Sequence, residues 1–206
     1  MRYEKGRKEA SRQKIIEVAA ERFRAEGIAA TGLAAIMSDA GMTNGAFYPH
    51  FQSKADLVRE TVAMATDPQS MRIREFVANG DLEAAIEMFL SPEHRDSPGQ
   101  GCPLTALLPE IARQPIDTRR VCAANFHNMV SEVAAALPPE INDRETTAMG
   151  IYATMIGTLQ LARAAEGTEL SDRILAAGRE TARALAEGDS IVTSCGLWLF
   201  RDQNAC

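Results

Sequence analysis

Residues 33–51 read Leu33-Ala34-Ala35-Ile36-Met37-Ser38-Asp39-Ala40-Gly41-Met42-Thr43-Asn44-Gly45-Ala46-Phe47-Tyr48-Pro49-His50-Phe51, and their pattern decides the fold. Leu33, Ile36, Met37 and Ala40 keep the i, i+3, i+4, i+7 spacing of a short amphipathic helix over 32–40, with Thr31 placed to cap it. Gly41 and Met42 make a tight turn, and Thr43 is placed to cap a second short helix over 44–51. Two short helices joined through such a turn form a helix-turn-helix. Leu33, Ile36, Met37, Met42, Phe47 and Phe51 can close a small core against Ile16 and Phe23 of a preceding helix over 10–26, which Gly27 ends.

In a three-helix unit of this kind the second helix of the pair enters the major groove of DNA with its first residues facing the base edges. Those residues are Thr43, Asn44, Gly45 and Ala46. Small side chains allow close backbone approach, and the Asn44 amide can pair with adenine. Tyr48, His50 and Lys54 offer a hydroxyl, an imidazole and an ammonium group of the kind that grip phosphates. The start of the helix after Ser53 adds backbone donors, and Thr31 is placed to do the same across the groove.

Net charge alone argues the other way. The chain has 206 residues with 22 basic and 28 acidic groups, a formal charge of -6. The charge is unevenly spread, however: residues 1–60 carry ten basic against eight acidic groups, and the first fourteen carry six against two. The other 146 residues carry twelve against twenty. A basic end on an acidic body fits a nucleic-acid-facing head. With 46% hydrophobic and 24% charged residues the chain can build a sizeable core. No apolar run reaches the ~18–20 residues of a membrane span, and the N-terminus lacks the apolar stretch of a signal peptide, so a cytoplasmic protein is expected. Cys102, Cys122, Cys195 and Cys206 form no CxxC pair and no zinc spacing with His50, His94 or His127. No metal or cofactor is expected.

The rest of the chain reads as helix. After a helix from Lys54 to a break at Asp67-Pro68, helices are expected near 70–77, 82–90, 104–113, 118–137, 144–166 and 171–187, with 91–103 the one long turn-rich interruption. The fold class is therefore all-α: a helix-turn-helix domain over 1–53, a larger helical domain over 54–189, and a tail over 190–206 of different composition.

Gly27, Thr31, Gly41 and the run Gly45-Ala46-Phe47-Tyr48-Pro49-His50-Phe51-Gln52-Ser53-Lys54 together resemble the signature of the TetR family of transcriptional repressors. The resemblance is clearest over residues 10–60. It implies a homodimer with two DNA-binding heads on a palindromic double-stranded operator, a helical body with a ligand cavity, and release of DNA when a small-molecule effector binds. Two positions depart from the pattern. Gly32 stands where a second hydroxyl is frequent, and Pro49 lacks the N–H that would bond the Gly45 carbonyl, so the last turn of the recognition helix should be distorted.

Along 144–166, Gly150, Ala153, Gly157, Leu161 and Ala164 recur at spacings of three and four, a flat face suited to close helix approach. With the following helix, which brings Ile174, it resembles the family's four-helix dimer interface; the alternative is that both helices complete their own subunit's core. Candidate cavity residues are Met64, Phe76, Phe89, Leu107, Ile111, Phe126, Met129, Tyr152 and Met155, with Asn125, His127 and Gln160 as possible polar contacts. Met and Phe suit an adaptable apolar pocket, and the expected effector is hydrophobic. Cys102, before a helix start in Gly101-Cys102-Pro103, is a candidate redox sensor, as in electrophile-sensing members of the family.

The sequence shows no Gly-rich phosphate loop, GxSxG elbow or paired carboxylates in an evident cleft. The repressor reading leads. Its alternatives are a helix-turn-helix protein serving as a ligand or protein-interaction module without operator binding, and a helical enzyme.

Overall fold

The computed structural model describes residues 2–64 and 68–188. Among them are ten α-helices and no strand. The tail expected over 190–206 lies outside the described residues.

The first helix, α1 (Arg2–Glu26), starts well ahead of the Ala10 expected from apolar spacing. Among the described residues Ile15, Ile16, Ala19, Ala20 and Phe23 are its buried face, so the periodic signal marks a part that packs on the core. Gly27 ends it with φ of +91°, a left-handed conformation that a side chain would resist. Next come α2 (Leu33–Asp39) and α3 (Lys54–Ala63). The core expected between them forms: Ile36, Met37, Phe47 and Phe51 are buried with Ile16 and Phe23, while Leu33 and Met42 pack at its edge. Arg22 of α1 ties α2 down from outside through Asp39 at 2.6 Å.

Two expectations within this head need correction. Gly32, not Thr31, is the N-cap of α2, and no side chain caps it. The second motif helix does not form over 44–51: Asn44–Ala46 is a single 3-10 turn, followed by turns through His50. The Phe47 N–H bonds Asn44 and the His50 N–H bonds Phe47, in tight three-residue steps. Pro49 has no N–H to return to Gly45, so the regular ladder cannot close.

Ser53 caps α3 by accepting the Asp56 N–H at 3.1 Å. The body then follows with α4 (Pro68–Ala78), α5 (Leu82–Phe89), α6 (Pro92–Asp96), α7 (Pro103–Ile111), α8 (Ile116–Ala136), α9 (Arg144–Ala164) and α10 (Glu169–Glu187). The 91–103 stretch, expected as turns, holds α6 and a 3-10 turn at Pro98–Gln100, started by Ser91 capping the His94 N–H and by prolines in the first turns. The helices α9 and α10 pack along their length. A Cβ at Gly178 would stand 2.3 Å from Thr158, so this approach requires glycine.

Head and body meet at α7. The Glu110 carboxylate accepts the Ile28 N–H at 3.0 Å and the Ala29 N–H at 2.8 Å, holding the loop that leads from α1 into α2. Arg24 adds a bond from its Nε to the Gly99 carbonyl at 2.8 Å. One continuous buried cluster runs from the head into the body.

Candidate nucleic-acid interface

The surface turn Thr43–Tyr48 rests on the aromatic floor of the head. Phe47 and Phe51 stack beneath it at 5.4 Å, and Tyr48 meets the Phe47 ring edge-on at 5.4 Å. With those anchors buried, Thr43, Asn44 and Gly45 stand exposed, Ala46 is half-buried, and Tyr48 is 70% exposed. A Cβ added at Gly45 would meet nothing within 4 Å, so the fold itself does not require glycine there. An exposed tyrosine beside an exposed amide on a rigid base is what a groove-reading turn needs: one group for a phosphate, another for a base edge.

His50 is half-buried beside Phe51, with its Nδ1 enclosed and without a hydrogen-bond partner among the described residues. Burial holds its imidazole below the ordinary value of 6.5, and the nearby Lys8 and Arg12 push in the same direction against Glu9. The ring is therefore neutral at neutral pH, beside two cations.

Two of the expected phosphate contacts turn inward. Thr31 is buried, and its hydroxyl donates to the Gly27 carbonyl at 2.7 Å, closing the end of α1. Its side chain cannot also reach a phosphate. Lys54 is half-buried, with Nζ donating to the Ile28 carbonyl and lying 5.9 Å from the centre of the Phe23 ring. Ile28 is thus held on both sides of its backbone, by Glu110 and by Lys54. Arg12, which no spacing in the sequence singles out, donates to Glu60 at 2.7 Å and lies over the Phe51 ring at 5.2 Å.

In the body, an apolar cavity of about 40 Å³ opens among α3, α4, α5, α7, α8 and α9. Of the expected lining residues, Phe89, Ile111 and Tyr152 face it, as do Met129 and Asn125. Tyr152 and Met155 line a second, smaller cavity of about 10 Å³ that shares Ile73 and Val77 with the first. The other expected residues lie elsewhere. Met64 ends α3 against Gln13, Leu107 is buried off the cavity, and Phe126 meets Tyr152 edge-on at 5.7 Å without lining it. His127 is exposed near Glu145, because its place on α8 turns it to solvent. Drug-sized ligands need ~300–1,000 Å³, so this cavity must expand to hold one.

Cys102 lines the cavity, as does Cys122, whose thiol burial pushes up. Cys102 is 3% exposed, which is the setting of a packed thiol, whereas reactive thiols are partly exposed. Beside it lies a cluster the sequence did not signal. His94 is fully buried, its Nε2 accepting the Cys102 N–H at 3.1 Å and its Nδ1 bonding the Phe89 carbonyl at 2.8 Å. That pairing fixes a neutral ring with its proton on Nδ1. Arg163 reaches over from α9 to the His94 and Arg95 carbonyls at 2.7 and 3.0 Å.

Of the residues expected on a dimer face, Ala153 and Leu161 are exposed, while Gly150, Gly157 and Ile174 are half-buried. Leu161 is 62% exposed, and Met149 and Leu170 are also uncovered on α9 and α10. No helix among the described residues is long and apolar enough to cross a membrane.

The family model for the bacterial regulatory proteins of the tetR family matches residues 15–61. The HTH-type transcriptional repressor KstR2 of Rhodococcus jostii is 32% identical over 88 residues, 42% of this chain and 43% of that protein. The match thus spans less than half of that curated relative's length. Among solved structures, a TetR-family transcriptional regulator of Cytophaga hutchinsonii overlays with a TM-score of 0.71 at 18% identity, covering 90% of this chain and 97% of that one. A SmeT–triclosan complex overlays with a TM-score of 0.57 at 23% identity, covering 85% of this chain and 90% of that one. These likenesses extend the all-helical fold over the body, well beyond the matched head.

Proposed function

We propose that this chain, which belongs to the TetR family of bacterial regulatory proteins through its N-terminal helix-turn-helix, is a ligand-responsive transcriptional repressor. It binds a palindromic operator as a homodimer and is released by a small hydrophobic effector. The observation that carries the reading is the exposed Thr43–Tyr48 turn on a buried aromatic floor, inside the segment the family model matches. Asn44 reads a base edge, Gly45 and Ala46 let the backbone approach, and Tyr48 and His50 grip phosphates.

The effector site is the apolar cavity against Phe89, Ile111, Met129 and Tyr152. Burial raises the Tyr152 phenol above its ordinary range, so it stays protonated and can donate to a polar group on an otherwise apolar ligand. Its neighbour SmeT, solved with triclosan, supports a ligand of this character. Dimerisation uses the outer face of α9 and α10 around Leu161, placing two heads one DNA turn apart, ~34–36 Å. The domains divide near residue 53, where Ser53 starts α3, the helix that joins head to body.

Nuclease footprinting of the full chain on the DNA flanking its own gene tests the reading. A protected inverted repeat that disappears when an apolar ligand occupies the cavity is the expected result. An unprotected region sinks it.

A further inference from the structure

Residues 6–10 of α1 are helical without being packed. The helix begins at Arg2, yet residues 6–10 are all exposed, and its first buried side chain among the described residues is Ile15. Helices in proteins are sustained mainly by burial of an apolar face, which this segment lacks. Its charge is also unfavourable for an isolated helix: the first fourteen residues hold six basic against two acidic groups, at the end where the macrodipole disfavours cations. The segment precedes residue 15, where the family model begins to match.

Its position gives this charge a target. Lys8 lies one helical turn before Arg12 on the same face of α1, and the Arg12 guanidinium lies over the ring of Phe51, next to His50 at the end of the recognition turn; both cations act on the His50 imidazole. Arg12 is held by Glu60 and the Phe51 ring. Lys8 is exposed, and no ion pair or hydrogen bond engages its side chain among the described residues. At ~1.5 Å of rise per residue it lies about 6 Å beyond Arg12 along the helix.

We infer that the Lys8 face of α1 is a contact for duplex DNA, gripping the sugar–phosphate backbone outside the major groove read by the Thr43–Tyr48 turn. This rests on the DNA-binding reading above. Charge complementarity and continuity with the recognition turn select a phosphate backbone as the occupant. The contact adds affinity without sequence preference and makes the grip of each head more salt-dependent.

The test is the slope of log affinity against log salt for the full chain, Lys8→Ala and Lys14→Ala, on a duplex from the DNA flanking its gene and an unrelated duplex of equal length. Lys14 is exposed on a different face of α1, so its variant carries the same loss of charge. Neither side chain is buried, and thermal unfolding checks that both variants fold. Lys8→Ala is expected to reduce the slope by about 0.9 for each head bound, on both duplexes, with Lys14→Ala close to the parent. Equal slopes for parent and Lys8→Ala, or equal reductions in the two variants, overturn the inference while the operator reading stands. A parent chain that binds neither duplex overturns both. A Lys8→Ala chain that loses binding to anionic vesicles with an unchanged DNA slope assigns this face to lipid and overturns the DNA contact.

Discussion

Glu110 holds Ala29: the carboxylate at the end of α7 accepts the Ala29 N–H at 2.8 Å with one oxygen and the neighbouring Ile28 N–H at 3.0 Å with the other. The helix that carries it also presents Leu104 and Ile111 to the cavity. One rigid element therefore touches both the proposed effector site and the loop that enters the DNA-binding motif. Glu110→Ala removes two charge-assisted hydrogen bonds from backbone donors and is expected to destabilise the fold by about 1–3 kcal/mol. Glu110→Gln, which keeps one acceptor oxygen, should cost less. Denaturant unfolding measures the loss, and amide exchange at Ile28 and Ala29 locates it; unchanged exchange at both amides would show that the clamp does not hold.

The His50 environment sets a pH dependence. Its imidazole titrates below 6.5 in the folded chain because of burial, with Lys8 and Arg12 adding to the effect. In an unfolded chain it titrates near the ordinary value, so the folded state favours the neutral ring. The stability this provides is complete above about pH 6.5 and declines as the pH falls through 6.5 toward the folded value. A DNA phosphate reverses the preference by favouring the charged ring. Adding duplex should raise the His50 titration midpoint in proton NMR, and affinity should increase between about pH 7 and 5.5. A free-state midpoint at or above 6.5 contradicts the burial argument; a midpoint that does not move with DNA removes His50 from the interface.

Gly45 separates stability from recognition. A Cβ there has open space in the free protein, so Gly45→Val should change unfolding stability by no more than about 0.5–1 kcal/mol. The same side chain would push the turn away from the base edges. Loss of preference for the flanking DNA with near-parent stability is the expected pattern. A variant that keeps full preference would place the reading surface elsewhere.

Leu161 tests the proposed dimer. It is 62% exposed on α9, so replacing it costs little in an isolated subunit. Leu161→Arg should shift sedimentation toward the monomer and leave helicity intact. Undiminished self-association would move the interface to another face.

Much of the fold was legible because its signals are local. The apolar spacing in residues 33–51, the cap at Ser53 and the stop at Gly27 each depend on a few neighbouring residues. Pro49 signals a break in the ladder, but in a segment this short it leaves a single 3-10 turn and no regular helix. The extent of α1 is hidden because residues 6–10 are exposed, and periodicity reports burial. Thr31 fits a surface cap by residue type and position, whereas its hydroxyl closes the preceding helix at Gly27. Tertiary partners carried no local signal. Glu110 lies more than eighty residues from the backbone it clamps, and His94 depends on a carbonyl and an N–H brought together by α5, α6 and the turn before α7. The cavity could be assigned to residue types but not to faces, so Phe89, Ile111 and Tyr152 line it while His127 points to solvent.

Fluorescence anisotropy with the full chain tests the central claim most directly, comparing a labelled duplex from the DNA flanking its gene with a scrambled duplex of the same composition at about 0.15 M salt. The account predicts affinity at least about 10³-fold tighter for the flanking sequence, the range that separates specific from non-specific protein–DNA binding. Equal affinity for the two duplexes, with the protein folded and its sites saturable, would contradict it.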